Sequence, residues 1–312
     1  MFDDLLRSVP DVDVPVTPAI TAGIAHSVHY LESDDAARSF EIDAYWPKWH
    51  SPWWHMTALW ECGEVHRVSA RTFDRMAAAI DRIKLHTFPT TPAEMDPLPG
   101  HTEIACHCAV GTMDQVLGDK RRPWFASWMR DYQMRDGGYN CDERAYLVTD
   151  EVPSSINGTI GIFESLLAHP EPALDRAGEM LLERELRLGS PTKHNADERT
   201  LEKHWLKPAF PRFYFYDVLR GLSAISKWKH ALPPAQIEVV VEHLVRAFPD
   251  GVVSVQRRPY DAHGSWNFVD GAWQRSRVAT SFPLLDALSI VGTPSHYLTA
   301  QWRATRERLL QR

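Results

Sequence analysis

A chain of 312 residues, 44% hydrophobic and 24% charged, has the composition of a globular protein with one large domain or two of ordinary size. A formal charge of −7 and a pI near 6.1 leave no basic footprint for nucleic acid. No stretch approaches the roughly 20 apolar residues of a membrane span. The acidic start MFDDLLRSVPDVDVP lacks the basic-then-apolar layout of a secretory signal. Cys62, Cys106, Cys108 and Cys141 form no spaced disulfide framework, so a reducing cytoplasm is the expected setting. The 12 Trp, 9 Tyr, 12 Phe and 15 His suit either a large aromatic core or an aromatic-lined cavity for a flat, apolar or carbocationic ligand.

In chain order, residues 1–20 carry Pro10, Pro15 and Pro18 and read as an extended lead-in, and 21–45 as weakly helical. Together, 1–45 form an N-terminal extension packing on a main domain of 46–312. Within that domain, segments near 53–63, 102–118, 154–168, 212–229 and 281–292 are apolar or small on nearly all sides. Each precedes an amphipathic segment, near 70–86, 123–134, 172–187, 235–248 and 296–311. Phe73, Met76, Ala77, Ile80 and Ile83 illustrate the second type, with Arg71, Arg75, Asp81 and Arg82 on the water side. Pro123 and Pro283 fit helix starts, and Ser154 and Ser281 fit N-caps. VVSVQ at 252–256 is the best strand. Buried helices alternating with half-buried ones predict an all-α chain of helical hairpins in a ring or stack, the ring placing the buried helices inside. Long loops at 87–101, 188–211 and 249–280 fall where functional loops are expected.

The stretch PWFASWMRDYQMRDGGYNCDE organises the chain. Trp124, Phe125, Trp128, Met129 and Tyr132 form an apolar helical stripe, with Arg130, Asp131 and Arg135 off it, and Gly137–Gly138 stop the helix. Trp128, Met129, Gln133, Asp136, Gly137, Gly138 and Tyr139 form W-M-x-x-x-Q-x-x-D-G-G-Y. This resembles the QW-type repeat of squalene and oxidosqualene cyclases, whose helix-to-Gly-Gly signature also occurs in protein prenyltransferase β-subunits. The resemblance implies an α/α toroid, here of about five to six inner/outer hairpins around an aromatic cavity. Residues 243–255, with Phe248, Asp250 and Gly251, form a weaker second copy without the Gln. The Asp-x-Asp-Asp, Asp-Asp-x-x-Asp and Asp-x-Cys motifs of the related enzymes do not occur.

Candidate site residues follow from chemistry and position. Glu103 and His107, at i and i+4, share a helix face and can hold zinc together with Cys141; the alternative is a packed, hydrogen-bonded core. Asp136, Tyr139, Cys141 and Asp142 can supply an acid, a nucleophile or ligands, or Asp136 simply caps the turn and Asn140 pins the loop. Asp217 is the lone acid of FPRFYFYDVLRGL, beside Tyr216. A buried carboxylate there is either salt-bridged, by Arg212 or Arg220, or desolvated and raised in pKa as a general acid. Glu164 poses the same question. His194, Asn195, Arg199, His204 and Lys207 can bind an anionic group such as a diphosphate, or form a solvated charged loop. Arg212, His194, Asn157, Trp54, His55 and Trp266 are the expected substrate contacts.

Three functions fit these features. The first is an enzyme acting on a prenyl or terpenoid substrate in an aromatic cavity. The second is a carbohydrate-active α/α barrel, hydrolase or lyase, in which Asp136 or Asp142 pairs with Asp217. The third is a non-catalytic toroid that binds or scaffolds.

Overall fold

The computed structural model describes residues 2–82, 107–258, 265–276 and 280–312. The loop at 87–101, Glu103 and Cys106 therefore lie outside the described residues. In chain order the helices are α1 (Phe2–Arg7), α2 (Pro18–Leu31), α3 (Asp34–Ile42), α4 (Pro52–Glu61), α5 (Ala70–Arg82), α6 (His107–Leu117) and α7 (Trp124–Asp131). They continue as α8 (Ile156–Ala168), α9 (Leu174–Glu183), α10 (Glu202–Trp205), α11 (Val218–Ile225), α12 (Pro234–Ala247), α13 (Pro283–Leu288) and α14 (His296–Leu310). The one sheet among the described residues is a hairpin of β1 (Ser265–Val269) and β2 (Ala272–Ser276), so the chain is all-α in class. None of its described helices is long and apolar enough to cross a membrane.

Burial alternates along the sequence. Every residue of α6 except Gln115 is buried, as is every residue of α11, and α4 is buried from Pro52 through Leu59. The intervening α5, α9 and α12 bury one face and turn their charges outward, as amphipathic helices do over a core. Contacts between neighbours run from α13 to α2, α4, α6, α8 and α11. Against this series α5 lies on α3, α9 on α8, and α12 on both α9 and α11. Three local expectations change. The lead-in contains α1, whose Leu6 is fully buried, because Phe2, Leu5 and Leu6 of FDDLLR pack on the core and the helix meets α12 and α14. Residues 281–292 give only the short α13, with Pro283 and Asp286 exposed, so this segment is half-buried. Ser155, not Ser154, caps α8 by accepting from Gly158 N.

The strand expected at 252–256 is extended but makes only isolated bridges, such as Ser254 with Pro294. The hairpin forms later, where Asp270 and Gly271 take positive φ (51° and 79°) between Val269 and Ala272, as a two-residue hairpin turn requires. The N-terminal segment is tied down by Arg306 of α14, 4% exposed, which donates to the Leu6, Val9 and Pro10 carbonyls and to Asp11 Oδ1.

The most extensive helix contact is α6 on α8, and glycine makes it possible. A Cβ at Gly111 would lie 2.4 Å from the Gly161 carbonyl carbon, and one at Gly161 would lie 2.6 Å from the Cys108 oxygen. Both obstacles are backbone, which a rotamer change cannot clear. Gly111→Ala should therefore push α6 from α8 and cost about 2–3 kcal/mol, read as a fall in Tm of about 5 °C or more. An unchanged Tm would show that the two backbones are not in contact here.

Candidate functional site

The DGGYNCD loop is built first by its own hydrogen bonds. α7 ends at Asp131, ahead of the glycine pair, and Gly137 takes φ 93°. Gln133 Nε2 donates to the Gly137 oxygen at 2.9 Å and to the Ala173 oxygen at 2.8 Å, linking this turn to the start of α9. Arg176 of α9 reaches back to the Met134 and Arg135 carbonyls, at 3.0 and 2.7 Å. Asp136 accepts from Gly138 N at 3.1 Å and from the Ser154 hydroxyl. Tyr139 is fully buried; its N–H donates to Thr159 Oγ1 at 2.9 Å and its hydroxyl to the Met129 carbonyl at 2.7 Å. Burial holds that phenol above its ordinary pKa. Asn140 donates to the Pro153 carbonyl and accepts from Asp142 N at 2.8 Å. Asp142 accepts from Arg144 N at 3.0 Å and faces His194 Nε2 at 2.8 Å. Asp136, Tyr139, Asn140 and His194 thus bind the loop to its surroundings.

Cys141, partly exposed, places its sulfur 3.1 Å from that of buried Cys108 on α6. His107 stacks on Trp128, with ring centroids 4.5 Å apart, and shares a hydrogen bond between Nε2 and the Tyr146 hydroxyl at 2.9 Å. No group of three His, Cys, Asp or Glu among the described residues is arranged to hold a metal ion. Glu103, the third member of the zinc set expected with His107 and Cys141, lies outside the described residues.

The second cluster centres on residues 210–217. The sequence pattern predicts a helix through 212–229, but α11 begins only at Val218, with Asp217 as its N-cap. Ahead of it the Phe210–Pro211 peptide is cis and Phe213 has φ 55°. A left-handed aromatic residue breaks the helix that its apolarity suggests. Asp217 is completely buried and accepts from Arg212 Nε at 2.6 Å, Arg212 Nη2 at 3.1 Å, Ala209 N at 3.1 Å and Arg220 N at 2.9 Å. Burial alone would raise this carboxyl; the Arg212 guanidinium, with Arg257 and the Arg220 N–H, outweighs it and holds the pKa below the usual range. The raised pKa expected of a general acid is not found here. Tyr216 is equally committed, donating to the Leu186 carbonyl at 2.7 Å while its N–H meets Asn157 Oδ1 at 3.2 Å. Arg212 and Asn157 therefore position this segment.

Sequence reasoning passed over Glu61 at the C-terminal end of α4. Its carboxylate accepts from Arg212 N at 2.8 Å and Phe213 N at 2.5 Å. On the other side, Arg220 Nη1 donates to the Phe213 and Phe215 carbonyls at 3.2 and 2.7 Å, and its Nε and Nη2 grip Glu164 Oε2 at 3.0 and 2.6 Å. Burial pushes the Glu61 carboxyl up to about 7, against the pull of those two N–H groups and of Arg220 and Arg212. The criterion that singled out Asp217, a lone acid in an apolar run, also selects Glu61 in MTALWEC.

Held between Glu61 and Arg220, the 213–215 segment lies against an aromatic wall. Phe213 packs on Trp49 and Trp54, with centroids at 5.4 and 5.0 Å, and Phe215 stacks on Trp49 at 6.2 Å. Tyr214 lies 4.7 Å from Phe215, and both are partly exposed. Trp54, fully buried with Nε1 on the Tyr45 carbonyl at 2.8 Å, supports this wall from behind and offers no free face. His55 lies elsewhere, stacked between Tyr30 at 4.2 Å and Phe282 at 3.9 Å, with Nδ1 3.1 Å from Ser27 Oγ. Trp266 sits on β1, partly buried against the core.

Comparison of the chain with protein-family models, curated proteins and solved structures gives no match.

Removing one partner of the Arg212–Asp217 pair leaves a buried charge uncompensated. Asp217→Asn should lower unfolding free energy by about 3–5 kcal/mol, measured by denaturant titration. A loss below about 1 kcal/mol would show that the pair does not hold the segment.

Proposed function

We propose that the chain is an α/α-toroid enzyme acting on an apolar substrate of the prenyl or terpenoid type. Support for the toroid comes from the succession α13, α2, α4, α6, α8 and α11, flanked by half-buried helices. The Gln133 link from the Gly-Gly turn to the next amphipathic helix is the tie that the QW-type resemblance implies. The observation that carries the activity is Glu61: a carboxyl with a pKa of about 7, bonded to the backbone of Phe213, whose neighbours Tyr214 and Phe215 present partly exposed rings. An acid that titrates near neutrality is suited to proton transfer, and aromatic faces stabilise developing positive charge. In this proposal Glu61 replaces Asp217 as the proton donor, and Tyr214 and Phe215 replace Trp54 as the substrate wall. A glycoside hydrolase or lyase would need an open carboxylate pair. Asp136, Asp142 and Asp217 are each engaged by local donors instead.

Geranyl, farnesyl and geranylgeranyl alcohols and diphosphates are the probes, with tryptophan fluorescence reporting binding and product analysis reporting turnover. A general acid works while protonated, so turnover should persist below pH 7 and decline above it. Glu61→Gln should keep binding and lose at least about 100-fold in rate. A chain that binds none of these probes, or a Glu61→Gln variant as active as the parent, sinks the proposal; binding without turnover by the unmodified chain favours a scaffold.

Glu61 also has a stability signature. Its folded pKa of about 7 exceeds the ordinary 4.5, so between these values the folded state keeps a proton that the unfolded chain releases. The resulting stability is complete below pH 4.5 and is lost as pH rises through 7, a change on the order of 3 kcal/mol. Glu61→Gln should flatten this slope in unfolding free energies measured from pH 4.5 to 8.

A further inference from the structure

We infer that Cys108 and Cys141 are an oxidisable thiol pair, which a hydroperoxide converts into a disulfide joining the DGGYNCD loop to α6. The two sulfurs belong to residues 33 apart in the chain and stand 3.1 Å from each other. That is sulfur–sulfur contact, closer than packing alone demands. Their exposures differ as a two-step oxidation requires. Cys141 is partly exposed at the loop, whereas Cys108 is 4% exposed in the first turn of α6 as described. The oxidant thus reaches Cys141 first, and the buried partner already lies against its sulfur.

The surroundings hold both residues in register. Asn140 fixes the loop on either side of Cys141, through the Pro153 carbonyl and Asp142 N. The Cys108 carbonyl accepts from Thr112 Oγ1 at 2.9 Å and lies where α6 and α8 approach most tightly, beside Gly161. The sulfurs, 3.1 Å apart, need to close by about 1 Å to reach the length of a disulfide bond. Cys62 is buried at the end of α4, and burial drives its thiol pKa up, so it is not the thiol that an oxidant meets first.

The chemistry balances as follows. The Cys141 thiolate attacks one peroxide oxygen, the O–O bond breaks, and the departing oxygen takes up a proton, leaving a sulfenic acid. Cys108 sulfur then attacks the sulfenic sulfur; the S–S bond forms and hydroxide leaves as water with the Cys108 proton. With hydrogen peroxide, two thiols and one peroxide give one disulfide and two waters. Reduction by an external dithiol reverses the bond.

The test uses the full chain with hydrogen peroxide as the probe, followed by alkylation and non-reducing digestion with mass spectrometry. Two of the four thiols should resist alkylation until a reductant is added, and a peptide containing Cys141 should be linked to one containing Cys108. Because Cys106 falls near Cys108 in any digest, single variants assign the partner. Cys106→Ser and Cys62→Ser should retain the link, whereas Cys108→Ser and Cys141→Ala should lose it. Circular dichroism confirms that each variant is folded, and the linked peptide in the unmodified chain needs no variant. Four alkylatable thiols after peroxide, Cys141 oxidised to sulfinic acid without a link, or a link that survives in Cys108→Ser would each overturn the inference.

Discussion

The geometry around residues 212–215 is set by two side chains gripping one stretch of backbone from opposite sides. Glu61 takes the N–H groups of Arg212 and Phe213, and Arg220 takes the carbonyls of Phe213 and Phe215. Backbone polar groups in a buried, non-helical segment must find partners, and these two side chains supply them. Asp217 closes the arrangement: it caps α11 and pairs with Arg212, so the residue that begins the helix also anchors the turn before it. The left-handed Phe213 costs on the order of 1–3 kcal/mol, and this double grip holds it in place. Buried ion pairs of this kind add little net stability compared with apolar packing. Their effect here is geometric, because they determine where Tyr214 and Phe215 stand.

A second framework controls the α6–α8 side. Gly111 and Gly161 let the two helices touch backbone to backbone. Tyr139 pairs with Ser155 as an antiparallel bridge, so the DGGYNCD loop is laid directly on the start of α8. Glu198, 4% exposed, completes that start by accepting from Ser155 Oγ at 2.7 Å, Ile156 N at 2.8 Å and Ser190 N at 2.9 Å. The long loop containing His194 and Asn195 thus has a buried carboxylate at its centre, which serves the N-terminus of α8.

Helix class and burial were legible because they depend on periodicity. Residues such as Met76 and Ile80, or the uninterrupted apolar run of α8, declare their faces directly. The DGGY turn was legible because a positive φ at Gly137 needs a residue without a side chain. The long-range wiring was hidden. Nothing local to Glu61 indicates that its partners are the N–H groups of residues about 150 positions later, and nothing local to Asp217 shows whether it meets Arg212 or Arg220. FYFYDVLRGL misled for a related reason. Its apolarity satisfies a buried helix and a buried turn equally, and the tertiary partners, Glu61 as acceptor and Arg220 as donor, favour the turn.

The same distinction separates architectural residues from those free to act. Asp136, Tyr139, Tyr216 and Asp217 carry the side chains most often associated with chemistry, yet each has its polar atoms engaged by the fold. The Asp217 carboxylate, held by Arg212 and backbone N–H groups, keeps a depressed pKa, and the Tyr139 and Tyr216 hydroxyls donate to carbonyls inside the core. Glu61 differs in the balance of its forces. Its two backbone donors and the arginine charges offset burial only in part, which leaves the two protonation states close in free energy near pH 7. Cys141 differs in its setting: of the three cysteines among the described residues, it is the one that is not buried. Reactivity in this chain is therefore best sought at groups whose environment leaves two states close together, and these are set by burial and long-range partners more than by residue type.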